Sequence, residues 1–309
     1  MRVRRAGALV GVASALAGVP AGCGGGGGGG GAPAAGRTAA APAAPPRDCI
    51  VRPARCGYPD AATTGVPAGT PLVPSGPITV TTPGTTIARR DVRGAIVVQA
   101  DGVTIRDTRV TVADPQGAAI FVAPKVRGTR ILDSTLRGRD ARAGAVQYGI
   151  LNAGWPPNAT TVAERVRMDR CTTCYAGPGT LRDSYVDVDA TVPGAHYEPV
   201  YYGGGAGPLT VVHDTLLNRR PQTAIVFAGS DYGPQRHLTI AGNLMAGGGW
   251  MIYAGGSDPR TRDVRITGNR LSTRFFPRGG HFGTSAEVAW RHTRWSGNVW
   301  DGTLRPAAG

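Results

Sequence analysis

His196, Tyr197 and Glu198 stand in a row ahead of Pro199, and Glu198 is one of three glutamates, with Glu164 and Glu287. If the segment is extended, a period of two puts the His196 and Glu198 side chains on one face. An imidazole and a carboxyl on one face could share a proton, as a general acid/base pair does. The alternative is a His–Glu surface pair that holds its own loop. Asp231-Tyr232-Gly233 follows an apolar run around Phe227, and Arg219-Arg220 precedes it, so both can flank the same groove as Glu198. Two chemistries fit these residue types. β-Elimination from an acidic sugar needs a base at C5 and positive charge on the sugar carboxylate to stabilise an enolate-like intermediate. Arg219 and Arg220 could supply that charge, with or without calcium; read blandly, they are solvated turn charge. Glycoside hydrolysis needs two carboxylates facing the bond, and Glu198 with Asp231 or Asp189 is the available pair. No other cofactor is implied, and no metal-ligand set is assigned.

Sugar rings lay their C–H faces on aromatic rings, which makes Trp155, Tyr197, Tyr202, Tyr232, Trp250 and Tyr253 candidate platforms. Tyr201, Phe227 and Tyr253 share one phase of a repeat and form a ladder on a single face. An interior stack is the expected outcome for such a ladder, which places Tyr202 and Trp155 ahead of Tyr201 as sugar contacts.

These residues lie within a repeat. An apolar residue, two variable ones, a small polar residue, one variable and another apolar residue recur, most clearly in Ile240–Met245, Ile266–Leu271 and Trp295–Trp300. Weaker copies start at Ile105, Ile131, Leu181 and Val211, and a degraded one at Val166. Spacing is about 30 residues, except for an interval of about half that between Val166 and Leu181. Strand-sized apolar runs alternate with these copies: Ile120–Val122, Ile150–Asn152, Val200–Gly203, Val226–Gly229 and Ile252–Gly255. No amphipathic helix of ordinary length intervenes. A propeller blade needs four strands, more than this period holds, so the pattern predicts an all-β fold, a parallel β-helix of eight turns about 40 Å long. The Asn of each Gly-Asn step is expected to tolerate a left-handed corner and to hydrogen-bond from turn to turn. Trp290, Trp295 and Trp300 are expected to close the C-terminal end against edge pairing.

The stretch Tyr58-Pro-Asp-Ala-Ala-Thr-Thr-Gly-Val-Pro-Ala-Gly-Thr70 and the closing Trp295-Ser-Gly-Asn-Val-Trp300 resemble the right-handed parallel β-helix proteins of the pectate-lyase-like superfamily, in particular secreted actinobacterial members. The resemblance spans roughly residues 57–306. It implies a single-stranded right-handed solenoid with a polymer groove along one outer sheet. It does not choose among lyases, hydrolases, epimerases and adhesins. Such relatives carry a His-x-Asp-Gly-like stretch where this chain has His196-Tyr197-Glu198-Pro199, and the paired aspartates of polygalacturonases are not found.

Residues 1–22 read as an export signal: a basic Met1–Arg5, an apolar Ala6–Gly18 and small residues up to Gly22. Cleavage after Ala21 would release the protein, whereas Ala21-Gly22-Cys23 resembles a lipoprotein box in which Cys23 is lipidated. Residues 23–47 form a Gly/Ala/Pro-rich linker that opens with Gly24–Gly31, and residues 48–306 the β-helix domain. Outside the cytoplasm, Cys49 with Cys56 and Cys171 with Cys174 read as local disulfides. The net charge of +14, carried by Arg with Lys125 the single lysine, favours an anionic partner. Taken together, the expectation is a monomeric secreted or surface protein that binds an extracellular, acidic polysaccharide and cleaves it by elimination, or a non-catalytic adhesion module. Membrane contact would run only through the lipid. Nucleic acid ranks last, because the charge is scattered and no recognition helix is visible.

Overall fold

The computed structural model describes residues 48–153, 160–205, 207–256 and 258–309. Export signal, linker, Cys23 and Trp155 lie outside the described residues. Every strand pairing between successive turns is parallel, in three sheets of ten, nine and nine strands. Each turn contributes one strand to sheet I, one to sheet II and one to sheet III, so the chain forms a parallel β-helix. One turn, for example, runs through Tyr185–Val188 of sheet I, Glu198–Tyr202 of sheet II and Leu209–Val212 of sheet III.

The anchor column of the repeat lies in sheet III. In register it reads Ile87, Ile105, Ile131, Ala163, Leu181, Val211, Ile240, Ile266 and Trp295. This corrects the sequence reading twice. The stack has one more turn than expected, because Ile87 opens the column. The degraded copy starts at Ala163, not Val166; a methyl side chain in an apolar column hid the register. From Ile105 to Ile266 every member is fully buried, and each full-sized aliphatic contributes about 2 kcal/mol.

Sheet III hands over to sheet I through a tight corner. The left-handed residue there is the one before the Asn, not the Asn itself. Arg89, Asp107, Asp133, Arg165, Asp183, His213, Gly242, Gly268 and Gly297 all have φ between 46° and 67°. From Asp107 onward the next residue turns inward, and with the exception of the apolar Val166 its side chain is polar and joins a hydrogen-bond ladder. Asn243 N–H donates to Asn269 Oδ1 (3.0 Å) and Asn269 N–H to Asn298 Oδ1 (3.0 Å). The amides of Asn243, Asn269 and Asn298 donate back to the carbonyls of Val211, Ile240 and Ile266, each at 2.9 Å. Asp214 continues the column: its N–H donates to Asn243 Oδ1, and its own Oδ1 accepts from Ser184 N–H, both at 2.8 Å.

Asp214 is fully buried, and its Oδ2 has no hydrogen-bond partner among the described residues. Burial raises its pKa well above the usual range, against the two N–H groups of Ser184 and Val212 that lower it. A carboxyl raised on folding favours the folded state while protonated. That stability is complete below about pH 4, the unfolded pKa, and is lost as pH rises through the folded pKa. Asp214→Asn supplies the amide its neighbours carry. It is expected to raise the unfolding midpoint more at pH 8 than at pH 4, as thermal melts at both pH values would show.

The N-terminal segment runs the length of the stack. At the last turn Cys49 N–H donates to Asp301 Oδ2 (2.9 Å), and Asp301 in turn pairs with Arg270 at 2.5 Å. Farther back, His213 places Nδ1 2.7 Å from Asp183 Oδ1 and Nε2 2.8 Å from the Gly57 carbonyl, with Tyr58 stacked on its ring. Arg167 then donates to the Ala61 carbonyl, and Val66 N–H to Thr135 Oγ1 (3.1 Å), before Val73 pairs with Arg90 in the first turns. His213→Asn keeps a residue tolerant of the left-handed corner and removes the clasp. It is expected to cost about 1 kcal/mol and to quicken proteolysis between residues 50 and 65, read by mass spectrometry of the cleaved chain. Cys49–Cys56 and Cys171–Cys174 are both disulfide-bonded. At the C-terminal end Trp295 Nε1 donates to the Ala307 carbonyl (2.9 Å) and Trp290 packs on Trp295.

Candidate functional site

Sheet II presents an open cleft of about 830 Å³. A short turn of the helix forms its floor: Cys171–Ala176 passes through Gly177 and Pro178 straight into Gly179–Arg182, with no long loop of its own. Thr172 and Thr173 lie on that floor, Val192–His196 on one wall and Asp231 and Tyr232 on another.

Both Glu198 and Tyr201 line the cleft, although they are three positions apart and strict alternation would set them on opposite faces. Between them Pro199 and Val200 are both buried. The same doublet recurs as Cys174–Tyr175, Ile225–Val226 and Met251–Ile252, all fully buried. Two consecutive inward residues reset the phase. The column Tyr201, Phe227, Tyr253 therefore faces outward, with ring centroids 5.4 and 5.0 Å apart. This overturns the expected interior stack, and with it the preference for Tyr202. Tyr202 is the inward residue, 5% exposed, with its hydroxyl donating to the Gly207 carbonyl.

Glu198 is 3% exposed. Its Oε1 accepts from Thr173 Oγ1 at 3.0 Å, and Oε2 has no hydrogen-bond partner among the described residues. Burial pushes its pKa up to about 7, with the Thr173 and Thr223 hydroxyls pulling the other way. Thr223 is the one β-branched residue held at positive φ (51°) among those described, a conformation such side chains adopt only under local strain. Tyr201 donates to Asp231 Oδ2 at 3.1 Å; burial, the Tyr232 hydroxyl and Asp231 together raise the Tyr201 pKa. Tyr148, beside them, is raised by burial and then by Glu198 and Tyr232.

His196 and Glu198 both line the cleft while Tyr197 between them points inward, as period two requires. No hydrogen bond joins His196 to Glu198 among the described residues. The other expected contacts are placed elsewhere. Tyr197 is 9% exposed and staples its loop: its hydroxyl donates to the Val192 carbonyl and accepts from Val192 N–H. Arg219 pairs with Asp187 at 2.9 Å and lies over the Phe275 ring. Arg220 donates to the Ala190 carbonyl and lies over Tyr197. Both arginines thus hold the 187–197 segment and line no part of the cleft. Asp189 is turned to the Arg170 N–H (2.6 Å), which removes the Glu198–Asp189 pair. Trp250 stands two turns from Glu198 in the same register row, packed on Phe282 and outside the cleft. Tyr232 is on the cleft wall and 64% exposed.

Among the described lining residues there is no Arg and no Lys. The ionisable groups are His196, Glu198, Asp231 and four tyrosines, flanked by Gln116, Gln147, Gln222 and three threonines. No family model, curated protein or solved structure matches the chain. The site is therefore read from its own chemistry. Calcium, raised as a partner of the arginines in elimination, meets no group of three or more His, Cys, Asp or Glu among the described residues.

Proposed function

We propose that the sheet II cleft binds a neutral polysaccharide and hydrolyses it, with Glu198 as general acid and Asp231 as the second carboxylate. The observation that carries this reading is a buried carboxyl, pushed up to about 7 by burial, at the base of an aromatic-lined cleft with no Arg or Lys among its described lining residues. An acid of that pKa is still protonated near neutrality and can give its proton to a leaving glycosidic oxygen. Asp231, exposed and hydrogen-bonded by Tyr201, is the second carboxyl group of the cleft and is offered to the opposite face of the sugar. Tyr201, Phe227 and Tyr253 offer ring faces, and the glutamines and threonines offer donors and acceptors for hydroxyls.

Elimination from an acidic glycan, argued from the net charge, is not favoured. The enolate-like intermediate needs cations at the site, and the arginines sit elsewhere. The accompanying reading is an exported protein of the pectate-lyase-like superfamily, secreted actinobacterial type, free or tethered through lipidated Cys23. The non-catalytic adhesion module remains the second reading, supported by the exposed aromatic ladder, which needs no carboxyl. The test is a panel of neutral and uronic-acid polysaccharides, following reducing ends and absorbance near 235 nm together. New reducing ends without absorbance are the expected result. Unsaturated product instead would reverse the mechanism, and binding without either product would leave the module.

A further inference from the structure

Away from the cleft, four arginines gather on and beside the outer face of sheet I. There Arg137, on Thr135–Gly138, lies between Thr111 on one flanking strand and Asp169 on the other. Thr135, two residues back on the same face, has Arg109 and Arg167 as its direct neighbours. Arg109 and Arg167 are thus diagonal neighbours of Arg137, a distance long side chains span easily. Arg170 closes the group from the corner beyond Asp169.

Three of these four arginines have carboxylates. Arg109 pairs with Asp91 at 3.1 Å, Arg167 with Asp169 at 2.7 Å, and Arg170 lies 3.8 Å from Asp169. Arg137 has neither an ion pair nor a hydrogen bond among the described residues, and its Nε is without exposed surface. Burial pulls its pKa below the ordinary arginine value; Asp169 opposes this, and the guanidiniums of Arg170, Arg109 and Arg167 add to it. A half-buried guanidinium left unpaired among three others is costly unless an anion completes the group. The planar five-donor fork pairs bidentately with carboxylate and phosphate oxygens alike, and the surrounding guanidiniums favour the more highly charged phosphate.

We propose that Arg137, with Arg109, Arg167 and Arg170 around it, is a binding site for a phosphate-type oxyanion, either free or carried along a polymer. It lies on a different sheet from the cleft and does not rest on the cleft's proposed activity.

The test is calorimetric titration of the protein with inorganic phosphate, with sodium chloride at matched ionic strength as reference, and with linear polyphosphate at the same phosphate concentration. Saturable phosphate binding above the chloride reference is expected. Arg137→Gln should weaken it about tenfold or more while leaving the unfolding midpoint in chloride unchanged or higher. Arg137→Lys, which keeps the charge and loses the fork, should fall between the two. Arg236→Gln, on an exposed residue of sheet III, should bind like wild type. Tighter binding of polyphosphate than of phosphate would identify a polymer as the carrier, and equal binding would identify the free anion. Phosphate indistinguishable from chloride, or undiminished binding by both Arg137 variants, would overturn the proposal.

Discussion

Asn269→Ala is expected to destabilise the fold by about 4 kcal/mol, a large part of the 5–15 kcal/mol typical of a domain. The residue is fully buried. Removing its side chain strips Asn243 N–H of its acceptor and the Ile240 carbonyl of a donor. It also leaves a cavity at a corner that neighbouring turns cannot close. Urea unfolding would read the loss as a lower midpoint with little change in slope. Asn269→Asp discriminates the cause. It keeps the Oδ1 acceptor and loses the amide donor, so it should approach wild type at pH 4, where a buried carboxyl is protonated, and fall toward the alanine variant at pH 8.

Glu198→Gln is expected to lower kcat by about 10²- to 10⁴-fold, the scale of a lost general acid, with glycan affinity nearly unchanged. The glutamine still accepts from Thr173 in the place of Oε1. In wild type, activity should decline above about pH 7, where Glu198 gives up its proton. Stability should move the same way. Glu198 is raised on folding, so its contribution is complete below the unfolded value near 4.5 and is lost as pH rises through about 7. Asp187, raised to about 6 by burial against the pull of Arg219, adds to that slope at lower pH. Glu198→Gln should therefore flatten the stability profile between pH 5 and pH 8 while abolishing turnover. A merely structural role would give the first effect without the second. Kinetics and thermal melts on one preparation separate the two.

The fold was legible because the solenoid writes its period into the sequence: an apolar anchor at each turn and, at the last three corners, a left-handed Gly followed by an inward Asn. Where chemistry departs from that consensus the reading slipped, at Ala163 and at Ile87. The N-terminal segment was illegible for a different reason. Cys49 meets Asp301 across a separation of 252 residues, and no local pattern encodes such a contact. His196 and Glu198 stood out because the chain has five His and three Glu, and Asp231 because it follows the Phe227 strand; the structure sets all three around one cleft. Thr173 and Thr223 were missed because a neutral hydroxyl gains importance only from the strand register that sets it beside Glu198. The aromatic ladder was correctly aligned but assigned to the wrong face. The doublet of buried residues that flips its phase has the same apolar composition as any strand core. Arg219 and Arg220 misled because charge counts carry no direction: one pairs with Asp187 and the other caps the Ala190 carbonyl.

The most direct measurement is the affinity of the protein for a panel of neutral polysaccharides, determined for wild type and for Tyr201→Ala, Phe227→Ala and Tyr253→Ala. At least one glycan should bind, and each substitution should weaken it about fivefold to tenfold, with little dependence on salt because no Arg or Lys is among the described residues that line the cleft. Binding that vanishes at high salt and is indifferent to all three substitutions would place recognition elsewhere on the molecule and contradict the account.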